Sequence, residues 1–204
     1  MGTGRMIQLA LPLCTVLVGI VSGCALTRAS IHPAYAPSGE KCRSRGMTVA
    51  LLRVVDVRPE GPHIGVKKNG YGMDSAEVVL DDGVEAAAWV RSALLEDLRS
   101  EGFEVVVWSD APGDAVLIHV ELEQFFVEPE NHFMTVELHA IVVFRLTVEL
   151  PGGEAYARRF KGHRSSPFML VTDGDIEPLV EGAAAEAVAA AGREICTLLA
   201  GARP

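Results

Sequence analysis

The chain lacks a surplus of positive charge. Its 18 Lys and Arg are outnumbered by 27 Asp and Glu, for a net charge of −9. Nucleic acid rewards clustered cations, so this balance argues against a nucleic-acid partner. It also removes any electrostatic pull toward an anionic membrane surface. Catalytic signatures are missing as well. HExxH, GxSxG, GxxxxGK[ST] and GxGxxG do not occur, and no Cys/His set has zinc-finger spacing. Asp173 and Asp175 flank Gly174, but the remaining ligand positions of a calcium loop are absent. Ser165-Ser166 has no identifiable base and orienting acid. These absences point away from an enzyme and imply no metal and no cofactor. There is no internal repeat, and no apolar run reaches the roughly 20 residues of a membrane-spanning helix.

The longest apolar run lies at the start. Arg5 is the only charge in the first 27 residues, and Met6 to Val21 reads MIQLALPLCTVLVGIV before Ser-Gly-Cys. A short basic start, an apolar run below about 18 residues and small residues at its end describe a secretory signal peptide. Val21-Ser22-Gly23-Cys24 resembles the lipobox of bacterial lipoproteins, with Val in place of the usual Leu. That resemblance implies removal of residues 1–23 and a diacylglycerol thioether on Cys24 with an acylated amine. Each buried CH₂ contributes about 0.8 kcal/mol, so three chains hold firmly. Ala25 rather than Asp follows the cysteine, which by the same resemblance favours the outer membrane, with the domain facing the periplasm. The other reading is a soluble secreted protein in which Cys24 is incidental.

Of four cysteines, Cys14 falls within the signal and Cys24 takes the lipid, leaving Cys42 and Cys196. The envelope outside the cytoplasm permits disulfides. A Cys42–Cys196 bridge would tie the incoming chain to the last helix; the alternative is a buried thiol at Cys196, because geometry decides.

Residues 24–46 read as a lipidated flexible tether with Pro33, Pro37, Ser38 and Gly39 and no periodicity, and residues 47–204 as one domain. Met47 to Val57 is a strand. Arg58 to Asp82 is mostly irregular, with a short edge strand at Ala76 to Leu80. Asp82 and Glu85 form a capping box for a helix over Val84 to Glu101, with Ala87, Val90, Leu94 and Leu98 on one face and Gly102 as C-cap. Phe103 to Trp108 is a strand. Two alternating strands follow, joined by a turn at Glu128 to Asn131. Val116, Ile118, Val120 and Leu122 face the core, as do Val136, Leu138, Ala140, Val142, Phe144, Leu146 and Val148. Pro151-Gly152-Gly153 leads to a fifth strand near Tyr156. The last helix takes Pro178 in its first turn and buries Val180, Ala184, Ala187, Val188, Ala191, Ile195 and Leu198. The strand–helix–strand unit pairs in parallel by a right-handed crossover. The expected fold is α+β: a two-layer sandwich, its mixed, mostly antiparallel sheet of 4–5 strands covered by two helices on one face.

Several features together resemble a known family. They are the lipobox, a strand ending in DVRP, the NGYG segment, a helix closing on EGF before VVVW, long polar-out strands and an Ala-rich final helix. The chain looks like the YajG-type outer-membrane lipoproteins, over roughly residues 47–200. It is more broadly similar to auxiliary lipoproteins of ABC-type and lipid transport systems. The resemblance implies an accessory part with no catalytic residues to carry over.

The exposed sheet face should carry His119, Glu121, Glu137 and His139. Two registers of the long hairpin are open: one opposes His119 to His139, the other opposes Glu121 to His139, which is electrostatically better. Polar side chains on a wet face are the plain reading of both. The segment IGVKKNGYG, Ile64 to Gly72, lacks phosphate-loop spacing. Asn69-Gly70 instead suits a two-residue type I′ turn. It sits in a loop of about 25 residues, long enough to suggest function. Arg58, Lys67, Lys68, Asn69 and Tyr71 are therefore expected to form a recognition hairpin for another envelope protein. Three functions compete: an accessory module that docks on a partner, a carrier of a lipid or other apolar ligand, and a hydrolase using His119 or His139.

Overall fold

The computed structural model describes residues 27–42, 46–69, 71–106 and 108–201. The signal peptide and Cys24 lie outside them, as does Gly70. Among the described residues, eight strands form one sheet with two helices on one face. They are β1 (Ala29–Ile31), β2 (Thr48–Asp56), β3 (Gly65–Lys68), β4 (Asp74–Leu80), β5 (Glu104–Val106), β6 (Val116–Asn131), β7 (Val136–Glu149) and β8 (Ala155–Phe168). The helices are α1 (Ala86–Glu101), between β4 and β5, and α2 (Asp173–Gly201), after β8.

The long meander β6–β7–β8 is antiparallel throughout. The other long edge of β6 is shared. Its first half pairs in parallel with β2, which pairs in parallel with β5. At Val127 it pairs with β3, which leads through β4 to β1. The α+β sandwich and the parallel β2–α1–β5 unit are as expected, but the sheet is nearly twice the expected size. Of the additional strands, β4 covers the short strand expected at Ala76 to Leu80, and β1 and β3 come from segments read as irregular. Residues 58–82 contain a hairpin, β3–β4, and the supposed tether contains β1. With 4 and 3 residues, β3 and β1 are too short to show a period. Ala76–Leu80 is not an edge, because β1 covers its outer side.

The stretch 29–42 is a strap tied to the domain rather than part of a free tether. Ala29, Ile31 and Cys42 are buried in the main core. Trp89 Nε1 donates to Pro33 O at 2.8 Å, Tyr35 Oη to Asp97 Oδ1 at 2.7 Å, and the Cys42 amide to Glu101 O at 3.0 Å. The first and last of these satisfy backbone groups that a Pro-rich segment could not pair in a ladder of its own.

Helix α1 buries Val90, Ala93, Leu94 and Leu98 against the sheet. It begins at Ala86, not at an Asp82 cap: Asp81–Gly83 is a 3₁₀ turn, and Gly83 takes a positive φ of 68° that no helix continues through. Gly102, at φ 99°, closes it as expected. Helix α2 packs across β7 and β8 through Val180, Ala183, Ala184, Ala187, Val188 and Ala191. Small residues let its backbone touch the sheet. A Cβ on Gly162 of β8 would overlap the Ala183 carbonyl and stand 2.9 Å from the Ala187 nitrogen. Between the layers lie Phe125, Phe144, Leu51, Ile118, Leu122 and Leu146, all fully buried.

Candidate functional site

The β3–β4 hairpin closes between Asn69 and Met73, not in a two-residue turn at Asn69-Gly70. The Asn69 amide donates to Met73 O, and the Gly72 amide to Asn69 O, both at 2.9 Å. Asn69 Oδ1 accepts the amides of Tyr71 and Met73, a side-chain-stabilised turn that needs one more residue than type I′. The required positive φ falls on Gly72, at 79°.

The cations expected to face a partner are mostly engaged within the domain. Arg58 is 8% exposed. Its guanidinium holds Asp56 in a fork, Nε to Oδ1 at 2.9 Å and Nη2 to Oδ2 at 2.8 Å. It also donates to the carbonyls of Gly61, His63 and Phe125. Partial burial pushes the Asp56 carboxyl up, but the hydrogen bonds and charge of Arg58 outweigh this and hold it below the usual carboxylate range. Arg58 is thus a staple between the loop after β2 and strand β6. Lys67 Nζ pairs with Asp173 Oδ1 at 2.9 Å and donates to Thr27 O at 3.3 Å. Lys68 Nζ pairs with Glu128 Oε1 at 2.6 Å. Tyr71 alone of this set projects outward, 89% exposed.

On the uncovered sheet face, neither expected register occurs. His119 opposes Thr147, and His139 opposes Glu128. Strand β6 runs on through Pro129 to Asn131, so the turn lies at residues 132–135, and a bulge between Leu122 and Gln124 shifts the pairing. His119 and His139 are separated by about 30 Å of strand. His139 instead stacks on His163, centroids 5.7 Å apart, with Nε2 3.4 Å from Glu130 Oε2. Beside it a groove of about 370 Å³ is lined by Lys68, Gln124, Phe126, Glu130 and His139. Among the described residues, no group of three or more His, Cys, Asp or Glu is arranged to hold a metal ion.

A buried polar cluster at the crossing of α1 and α2 was not expected. Asp97 and Glu101, one turn apart on the apolar face of α1, are each 1% exposed. Asp97 Oδ1 accepts from Tyr35 Oη and from the Ser38 amide, while Oδ2 has no hydrogen-bond partner among the described residues. A Cβ on Gly192 of α2 would overlap Glu101 Oε1 and stand 2.8 Å from Asp97 Oδ2, so glycine makes room for both carboxyls. Burial, then the charges of Asp97 and Glu40, push Glu101 up to about 7, against the opposing pull of Arg193. Burial and the bond to Asp97 also push the Tyr35 hydroxyl up. The sequence did carry a signal: two acids at i, i+4 within the stripe of Val90, Leu94 and Leu98, and a glycine inside an alanine-rich helix. Cys42 and Cys196 meet at the edge of this cluster, with Cα atoms 5.5 Å apart, inside the range a disulfide spans.

A family model for lipoproteins described as uncharacterized matches residues 39–187. The chain belongs to this lipoprotein family, the YajG family. No curated protein matches this family member in sequence. Solved structures share its fold. Protein XCC0632 from Xanthomonas campestris is 13% identical, covering 86% of this chain and 96% of its own, with a TM-score of 0.53. A second structure, of an uncharacterized protein, is 15% identical over 81% of this chain and 99% of its own, at 0.50. A minor lipoprotein from Acinetobacter baumannii is more distant, 14% identical over 76% and 93%, at 0.41.

Proposed function

We propose that this family member is a non-catalytic accessory lipoprotein, anchored through Cys24 to the outer membrane and facing the periplasm, that docks another envelope protein along the free edge of β8. The observation that supports this reading is the edge itself. Strand β8 is 14 residues long, and among the described residues it pairs with β7 alone. Such an edge presents unpaired amides and carbonyls to an incoming strand, except at His163, whose amide donates to Glu186 Oε2 at 3.2 Å and whose carbonyl accepts from Arg164 Nη1 at 2.9 Å. Its sequence, AYARRFKGHRSSPF, holds Arg158, Arg159, Lys161 and Arg164 and no acid, on a chain of net charge −9. Arg158 and Arg164 are drawn to Glu194 and Glu186 on α2, and Arg159 to Glu123. Lys161 makes no ion pair among the described residues. These charges discourage indiscriminate pairing and complement an acidic strand.

The test is site-specific photo-crosslinking in the lipidated protein within its own membrane. Probes at Ala157 and Lys161 should capture one protein species, and a probe at exposed Thr197 on α2 should not. Equal capture at all three positions, or none on β8, would overturn the docking reading. The carrier reading finds less support, because the contact of α2 with Gly162 leaves no space there for an acyl chain. A co-purifying lipid in native mass spectrometry would restore it.

A further inference from the structure

One end of the sheet gathers large apolar side chains that the fold leaves in solvent. Tyr71 and Met73 lie in the β3–β4 turn, Phe133 and Met134 in the β6–β7 turn, and Met169 and Leu170 directly after β8. Phe133 is 100% exposed, Met169 81% and Leu170 78%. The three segments are neighbours. Asn131 Nδ2 donates to Asn69 O at 3.3 Å, joining the first two turns. Val136 pairs with Phe168, placing residues 169 and 170 beside the second turn. Scattered apolar residues are ordinary on a surface, but a contiguous set at three adjoining tips marks an interaction site.

The chain enters the domain at this same end. β1 runs parallel to β4 and so points away from the β3–β4 turn, leaving its upstream residues directed toward that turn. Thr27 O accepts from Lys67 Nζ, which also holds Asp173 at the start of α2. Cys24 is three residues before Thr27. Whatever path those residues take, three peptide steps reach at most about 11 Å. A lipid on Cys24 therefore pins this end, and not the opposite one, at the bilayer surface.

We infer that the tips carrying Tyr71, Met73, Phe133, Met134, Met169 and Leu170 insert into the interfacial layer of the bilayer that holds the Cys24 lipid. This rests on lipidation of Cys24. Amphipathic and apolar side chains lodge about 5–10 Å into the headgroup and acyl boundary, a depth these turns reach once the anchor is seated. Charge does not drive the contact. Lys67 and Lys68 are paired with Asp173 and Glu128, and Asp74 and Glu130 lie close behind the tips. Insertion is thus expected into zwitterionic lipid and to be insensitive to salt. The domain then stands on end, with β8 running down to the membrane at Phe168 and its free edge open along the side of the domain.

The experiment places a tryptophan at the tip, F133W, in the lipidated full-length protein reconstituted into phosphatidylcholine–phosphatidylethanolamine vesicles with brominated acyl chains. A matched variant, Y156W, reports the opposite end, where native Trp108 also lies. Intact mass on the same sample establishes whether Cys24 carries its lipid, so failure of the anchor is read separately from failure of the tips. With the anchor present, the emission added at position 133 should fall by half or more, and that at 156 should be unchanged. Unquenched emission at 133, or equal quenching at both ends, overturns the inference. Sedimentation velocity in detergent supplies a second readout. Self-association abolished by F133S, M169S and L170S together would assign the patch to a second copy and overturn membrane insertion.

Discussion

Replacing Glu101 by Gln should remove most of a pH dependence that the native protein carries across neutrality. In the folded state the Glu101 carboxyl is raised from 4.5 to about 7. Below about 4.5 it is protonated in both states, and the full stability is present. Between about 4.5 and 7 the unfolded chain releases the proton while the folded one retains it. Stability therefore falls as pH rises and levels off above the folded value. Each tenfold change in proton affinity is worth about 1.4 kcal/mol, so a displacement of this size costs on the order of 3 kcal/mol by pH 8. Glu101 is 1% exposed, so solvent screening removes little of this. Asp97 lies one turn away, and after burial its charge is the next largest cause that holds the Glu101 carboxyl up. Urea unfolding of the Cys24→Ser form, followed by circular dichroism at pH 4.5, 6, 7 and 8, measures the curve. The native protein should lose about 3 kcal/mol relative to E101Q over that range, E101Q being neutral throughout. A constant difference between the two proteins, within about 0.5 kcal/mol, would refute a raised Glu101 carboxyl at this helix crossing.

Gly162→Ala should destabilise the domain by about 3 kcal/mol or more, because the new methyl group meets helix backbone rather than a side chain that can turn aside. The urea midpoint measures it, with unchanged helix content of the folded state as the control. In folded protein isolated without reductant, Cys42 and Cys196 should resist alkylation until reductant is added. Their separation of 154 residues makes a closed loop whose loss costs about 4–5 kcal/mol in the chain-entropy account. Free thiols in untreated, folded protein would refute the bridge.

The long elements are legible because repetition declares them. Strand β7 alternates over most of its 14 residues and β6 on either side of its bulge, and each helix repeats its small apolar residues every three or four positions. What escapes is non-repeating. Strand β1 is fixed by two buried side chains, Ala29 and Ile31, and by β4, which lies some 50 residues away in the chain. The turn of the long hairpin falls later than the sequence suggests because Pro129 reads as a breaker, although here it occupies a strand end. Arg58, Lys67 and Lys68 stand out as unusual on an acidic chain, but their partners Asp56, Asp173 and Glu128 cannot be paired with them before the fold is known. The acids Asp97 and Glu101 pass as part of a charged helix surface. Only the stripe they interrupt shows that they point inward.

The strap from Ala29 to Cys42 also has a mechanical meaning. A pull on the N-terminal end of the chain acts along β1, so the three pairs it makes with β4 are loaded together in shear rather than opened one at a time. Should they yield, the bonds to Pro33, Tyr35 and Ser38 come under load in turn, and with Cys42 joined to Cys196 the peeling stops there. The 18 residues from Cys24 to Cys42 would then release about 60 Å of chain without unfolding the sheet. With a lipid on Cys24, the strap would in that sense be a retracted cable with a fixed stop.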